Sequence, residues 1–233
     1  LVKAVADGRL SQERVDEAVT RVLALKAALG LHKADRPEPN LDTARSVVAT
    51  AENLALAQQV TARVPTLVKD VRNLLPLSPG KYKRVLVYSG GVILPFVPHP
   101  LPLSLPAKLE EEGFEVTVYA PGMAVSPKNF DLVLYLFAEE TVLTRSRIFL
   151  DWTRLTGSVF GAMSRLWHDV PTLMISFGYP YYLYDAPRVP AYVNAYGSSE
   201  AIQAAVLEAI MGRAPFAGVS PVDPFVGSEQ GKY

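Results

Sequence analysis

Apolar positions along the chain follow two periods in turn. Val15, Ala18, Val19, Val22, Leu23 and Leu29 recur at the i, i+3, i+4, i+7 spacing of one helix face, with Lys26 the polar residue on the stripe. Ser11 is suited to cap that helix. Glu13 places an acid in its first turn, where the helix dipole favours one, and Gly30 fits the position just past its end. Asp7-Gly8-Arg9-Leu10 ends a first short helix before it, and Leu1 to Val5 reads as chain already inside a helix, so sequence is expected to precede it. Residues 32 to 42 are polar and carry Pro37 and Pro39, the composition of an inter-domain linker. A longer helix rich in Ala and Leu is expected from about Thr43 to Val64, stopped at Pro65.

From there short apolar runs alternate with helical patterns. Strands are expected at Arg84 to Tyr88, Glu115 to Tyr119, Leu132 to Phe137, Thr172 to Phe177 and Ala191 to Tyr196. Helices are expected at Ser104 to Glu112, closed by Gly113, at Phe160 to Trp167, and at Ser198 to Met211, stopped by Gly212. Continuous apolar runs such as Leu-Val-Leu-Tyr-Leu-Phe suit strands covered on both faces. The order predicts an α/β fold: a three-layer α/β/α sandwich with a mainly parallel sheet, a flavodoxin-like variant, preceded by a helical segment. Ligands of such folds sit beyond the C-terminal ends of the strands. Those ends are Ser89-Gly90-Gly91, Ala120-Pro121-Gly122, Ala138-Glu139-Glu140 and Gly178-Tyr179-Pro180.

Composition narrows the chemistry. The formal net charge is zero, so no basic field draws in nucleic acid or anionic lipid. Cysteine is absent, which excludes disulfides, thiolate metal sites and cysteine nucleophiles and does not place the protein inside or outside the cell. The three histidines, His32, His99 and His168, lack metal-ligand spacing. No apolar run reaches the length of a membrane span. No cofactor is expected: Ser89-Gly90-Gly91 lacks the spacing of a dinucleotide turn, and glycine there suits a tight turn.

Several stretches, in order, resemble family 3 glycoside hydrolases. Ala4-Val5-Ala6-Asp7-Gly8-Arg9-Leu10-Ser11, followed by Arg21-Val22-Leu23, Lys26 and Leu29-Gly30-Leu31, is similar to the end of that family's catalytic barrel. Thr66-Leu67-Val68-Lys69-Asp70 with Leu74-Leu75-Pro76-Leu77 resembles the start of its second domain, with Asp70 in place of the usual asparagine. Phe177-Gly178-Tyr179-Pro180-Tyr181, Ala195-Tyr196-Gly197-Ser198-Ser199-Glu200-Ala201, Gly212 to Gly218 and Val219-Ser220-Pro221-Val222 resemble its closing sequence. The resemblance implies a helical remnant of the barrel in residues 1–31, a linker in 32–42 and a C-terminal α/β sandwich domain in 43–233. It also implies an N-terminal barrel of the same protein as partner and a carbohydrate substrate. The family's nucleophile is an aspartate earlier on the barrel, and nothing here matches it. The region from Glu139 to Arg154, where the β-glucosidase branch carries an acid, is short and lacks that pattern, so the β-N-acetylhexosaminidase branch is favoured.

Retaining glycosidases use two carboxyl groups about 5 Å apart, one of them an acid of raised pKa. Glu139 and Glu140 follow a buried strand and are candidates for an acid or a sugar contact, although a solvated loop carboxylate is the more ordinary role. Arg145 and Trp152 are candidates for substrate binding. Arg145, Arg147 and Arg154 flank Asp151-Trp152, and the preferred reading is a structural ion pair with Trp152 packed at a domain interface. His168-Asp169 precedes a strand and suits a loop cap, and the tyrosines at 179, 181, 182 and 184 suit packing, with sugar stacking the lesser reading. The rival to an enzyme part is a non-catalytic carbohydrate-binding or structural module. A flavin or nucleotide binder has only the fold behind it.

Overall fold

The computed structural model describes residues 1–33, 40–94, 96–97, 99–140 and 147–233. The chain forms two compact units, Leu1–Glu52 and Asn53–Tyr233.

The first unit is helical. It holds α1 (Val2–Ala6), α2 (Gln12–Ala28) and α3 (Leu41–Val47), and α4 (Ala51–Thr61) runs from it into the second unit. Ser11 caps α2 by accepting from the Arg14 N–H at 3.2 Å, and Gly30 takes φ +65° just past the helix end. Asn40 caps α3 by accepting from Asp42 and Thr43. The single helix expected from Thr43 to Val64 is instead two: Val48 turns to extended backbone and Ala49 takes φ +55°, which no helix accommodates. None of the four helices has a buried residue, and Val22, Leu23, Leu25, Leu54 and Val60 are all exposed.

The second unit is built on a six-stranded sheet: β1 (Thr66–Asp70), β2 (Arg84–Val92), β3 (Glu115–Val118), β4 (Leu132–Ala138), β5 (Thr172–Ser176) and β6 (Ala191–Asn194). The spatial order is β1-β6-β5-β4-β2-β3, and every pairing is parallel except β1 with β6. Every residue of β4, β5 and β6 is buried, as their apolar runs require. Alternate side chains serve two cores. Val85, Val87, Leu132, Leu134, Leu136, Leu173 and Ile175 meet α5 (Leu105–Glu111) and α8 (Glu200–Ile210) through Leu105, Leu109, Val206 and Ile210. On the opposite face Leu86, Tyr88, Val133, Tyr135, Phe137 and Met174 meet α6 (Trp152–Thr156) through Trp152 and Leu155, together with Trp167, Tyr182 and Leu183. The result is the three-layer α/β/α sandwich, its second helical layer made of short pieces, including α7 (Val159–Met163).

Three local features differ from the pattern reading. Ser89-Gly90-Gly91 is a β-bulge inside β2 and not a turn after it: Ser89 pairs with Leu136 and Val92 with Ala138, leaving one extra residue on β2. Gly91 takes φ +66° there, and a Cβ would come 2.7 Å from the Pro100 Cβ and 2.8 Å from the Leu101 carbonyl oxygen, so only glycine fits. The helix expected from Phe160 to Trp167 ends at Met163 and is followed by a separate 3-10 turn, Leu166–His168. Thr66–Asp70 is an antiparallel edge strand that the alternation did not reveal. Its Lys69 is buried, with Nζ donating to the carbonyls of Pro187, Gly231 and Tyr233 at 2.9, 2.7 and 2.9 Å. Asp70 closes the following turn by accepting from the Leu74 and Leu75 N–H groups.

Candidate functional site

The five parallel strands lie in the order β3-β2-β4-β5-β6. The chain therefore moves from β2 to one side for β3 and returns to the other side for β4. That reversal parts the connections beyond the C-terminal ends of β2 and β4 and opens a crevice there, the usual ligand position in an open α/β sheet. A cavity of about 240 Å³ occupies this point. Ser89 and Gly90 come to it from β2, Tyr119 and Pro121 from the end of β3, and Phe137 and Glu139 from β4. Asp151, Arg154 and Leu155 close it from α6, and Tyr182 from the turn after β5.

Backbone contacts fix its carboxylate edge. The Glu139 carbonyl accepts from the Tyr179 N–H at 2.8 Å, tying the end of β4 to the end of β5. Gly178 lies so close that a Cβ there would come 2.9 Å from the Glu139 carbonyl carbon. Asp151 caps α6 by accepting from the Arg154 N–H at 2.9 Å, and Asp185 holds the preceding Leu150 N–H at 3.0 Å. The cavity thus presents two carboxylates and a guanidinium among aromatic walls, a surface that can hydrogen-bond sugar hydroxyls while an aromatic ring covers a sugar face. Among the described residues no group of His, Asp or Glu is arranged to hold a metal ion, and no helix is long and apolar enough to cross a membrane.

The sequence candidates divide. Glu139 is half-buried and lines the cavity, whereas Glu140 is exposed and does not line it. Arg145 lies outside the described residues. Trp152 is partly buried and packs against the sandwich: its ring meets Tyr135 and Trp167 edge-on at centroid distances of 5.6 and 5.7 Å, and the Arg165 guanidinium covers it at 4.1 Å. Tyr179 and Tyr182 pack together at 5.3 Å, Tyr182 being buried, while Tyr184 is exposed. His168 and Asp169 sit before β5, at the opposite edge of the sheet from the crevice. Sequence reasoning placed Asp151 and Arg154 beside a tryptophan without assigning them to the site. The signal available was an acid at the start of a short helix following a strand end.

No family model matches the chain. It is 38% identical to a β-N-acetylglucosaminidase/β-glucosidase of Cellulomonas fimi over 247 aligned residues, covering 96% of this chain and 41% of that protein. Among solved structures, a β-glucoside phosphorylase superimposes over 100% of this chain and 42% of its own, with a TM-score of 0.76 and 34% identity. A β-N-acetylglucosaminidase of glycoside hydrolase family 3 from Paenibacillus sp. str. FPU-7 shares the fold over 98% of this chain and 43% of its own, with a TM-score of 0.59 and 19% identity. The chain spans about two fifths of the length of each of these proteins. In sequence the chain is thus similar to about two fifths of a β-N-acetylglucosaminidase/β-glucosidase, and in fold to part of a glycoside hydrolase family 3 enzyme.

Proposed function

We propose that this chain is the C-terminal part of a retaining glycosidase that removes terminal β-linked sugars, N-acetylhexosamine in particular. The catalytic nucleophile lies on an N-terminal barrel of the same protein, and this chain is inactive without it. The observation that carries the reading is similarity along 96% of the chain to an enzyme whose name includes β-N-acetylglucosaminidase, of which the chain covers 41%. The exposed apolar side chains of α2 and α4 support a partner surface. In this reading the crevice beyond β2 and β4 is one wall of the substrate site, with Glu139 as sugar contact.

A second reading has a specific observation behind it: the similar solved structure with 34% identity is a β-glucoside phosphorylase. Phosphorolysis differs from hydrolysis in the acceptor, orthophosphate in place of water, and not in the bond broken. Release of nitrophenol from aryl β-N-acetylglucosaminide and aryl β-glucoside by the longer protein, with and without orthophosphate, separates the readings. Preference for the glucoside overturns the hexosamine assignment, and a product that is the sugar 1-phosphate overturns hydrolysis. In that protein Glu139→Gln is expected to raise KM with kcat little changed; a loss of kcat at constant KM contradicts the contact role.

A further inference from the structure

A second cavity, of about 370 Å³, lies on the α6 side of the sheet and shares the Tyr119 wall with the crevice. The chain has two tryptophans, Trp152 and Trp167, and both stand against Arg165, whose guanidinium carbon is 4.1 and 5.7 Å from their ring centroids. Arg165 is partly buried and lines the cavity. Its Nη1 donates to the carbonyls of Ala162 and Ser164. Among the described residues its Nε and Nη2 have no acceptor, and no carboxylate lies within ion-pair distance. That free edge is the part of a guanidinium that grips two oxygens of one phosphate or carboxylate. Burial lowers the Arg165 pKa.

The other polar walls divide into spent and unspent donors. Tyr119 donates to the Thr156 carbonyl, Thr156 to the carbonyls of Trp152 and Ser158, and Ser164 to that of Phe160. The hydroxyls of Tyr88 and Tyr135 have no hydrogen-bond partner among the described residues. Burial raises both phenol pKa values, Tyr88 to about 12, so both remain protonated donors. Nearby, the buried Trp167 indole N–H also has no acceptor. The one acid among the described lining residues is the exposed Asp169. Of these groups only the Trp167 N–H is a buried donor left without an acceptor, which is costly and rare; the two hydroxyls and the Arg165 edge are accessible, and so open to a ligand.

We propose that this cavity binds a small anionic sugar, its phosphate or carboxylate held on the Nε–Nη2 edge of Arg165 and by the Tyr88 and Tyr135 hydroxyls. The volume falls in the range of ligand pockets, about 300–1,000 Å³. The anion is argued from these donors, and only the sugar body rests on the carbohydrate reading above.

Because both tryptophans adjoin Arg165, tryptophan emission of the whole 233-residue chain reports on the site. Glucose 6-phosphate and glucuronate are titrated beside glucose, orthophosphate and glycerol 3-phosphate. A saturable change with the two anionic sugars and none with glucose is expected. Arg165→Gln should weaken binding about tenfold or more, and Arg165→Lys, which keeps the charge and loses the fork, nearly as much. Tyr135→Phe should weaken it several-fold, with circular dichroism unchanged for all three variants. Equal responses to glucose and glucose 6-phosphate, or an Arg165→Lys variant that binds as tightly as the parent, overturn the anion site. Orthophosphate or glycerol 3-phosphate binding as tightly as the sugar phosphate overturns the sugar body and leaves the anion intact.

Discussion

Gly178→Ala should disturb the crevice through one contact. Gly178 follows β5 and passes under the peptide that ends β4. An added methyl would overlap the Glu139 carbonyl oxygen, lie 2.9 Å from its carbonyl carbon and 3.1 Å from the Glu140 Cγ. Two of these three atoms are backbone, so the strain cannot be relieved by turning a flexible side chain. The neighbouring Tyr179–Glu139 hydrogen bond of 2.8 Å, which ties β5 to β4, must lengthen or break. Overpacking costs about 1–3 kcal/mol and a lost hydrogen bond about 1 kcal/mol, so a total of about 2–4 kcal/mol is expected. For a unit of this length each kcal/mol moves Tm by about 2–4 °C, which gives a drop of about 4–16 °C by calorimetry or circular dichroism. Gly80→Ala is the control, since no atom lies within 4 Å of its Cβ position and its φ is not positive. Its effect should be neutral or stabilising by about 0.4–1 kcal/mol. If the two variants melt within a degree of each other, the contact does not hold the ends of β4 and β5 together.

Lys69→Met leaves the carbonyls of Pro187, Gly231 and Tyr233 without their shared donor and should cost about 2–4 kcal/mol in urea denaturation; a neutral result would show that the buried ammonium is not needed. Leu134→Ala removes a fully buried side chain from the core against α5 and α8 and should cost about 2–5 kcal/mol by the same measurement. Arg213→Ala, on the exposed network with Glu112 and Glu208, should change stability by no more than about 1 kcal/mol. Asp131 accepts from the Arg84 side chain and N–H, which hold its pKa below the usual carboxylate range. A depressed carboxylate pKa stabilises above the unfolded value of about 3.9 and is lost as pH falls through the folded one. The gap in urea midpoint between parent and Asp131→Asn should therefore be constant near neutrality and close below about pH 4; a gap independent of pH refutes the linkage.

The parallel core was legible because β2, β4, β5 and β6 are apolar runs bounded by turn residues, and those patterns need no partner to be read. β1 was not. Its Lys69 and Asp70 look like loop residues, and their burial depends on carbonyls and N–H groups that other parts of the chain supply. The break at Val48 and Ala49 was hidden for a different reason: both residues suit a helix, and only the backbone angles separate α3 from α4. Glu139 could be picked out because it follows a buried strand whose C-terminal end must face the crevice. Arg165 could not, since what distinguishes it is an edge without an acceptor, a property of packing against Trp152 and Trp167.

The most direct test of the account is turnover of aryl β-N-acetylglucosaminide and aryl β-glucoside by this 233-residue chain, beside the proposed longer protein with a barrel ahead of it. The account requires no turnover by the chain and clear turnover by the longer protein. Genuine turnover by the chain would contradict it, because the chemistry would then have to come from Glu139, Glu140 or another carboxylate within these residues.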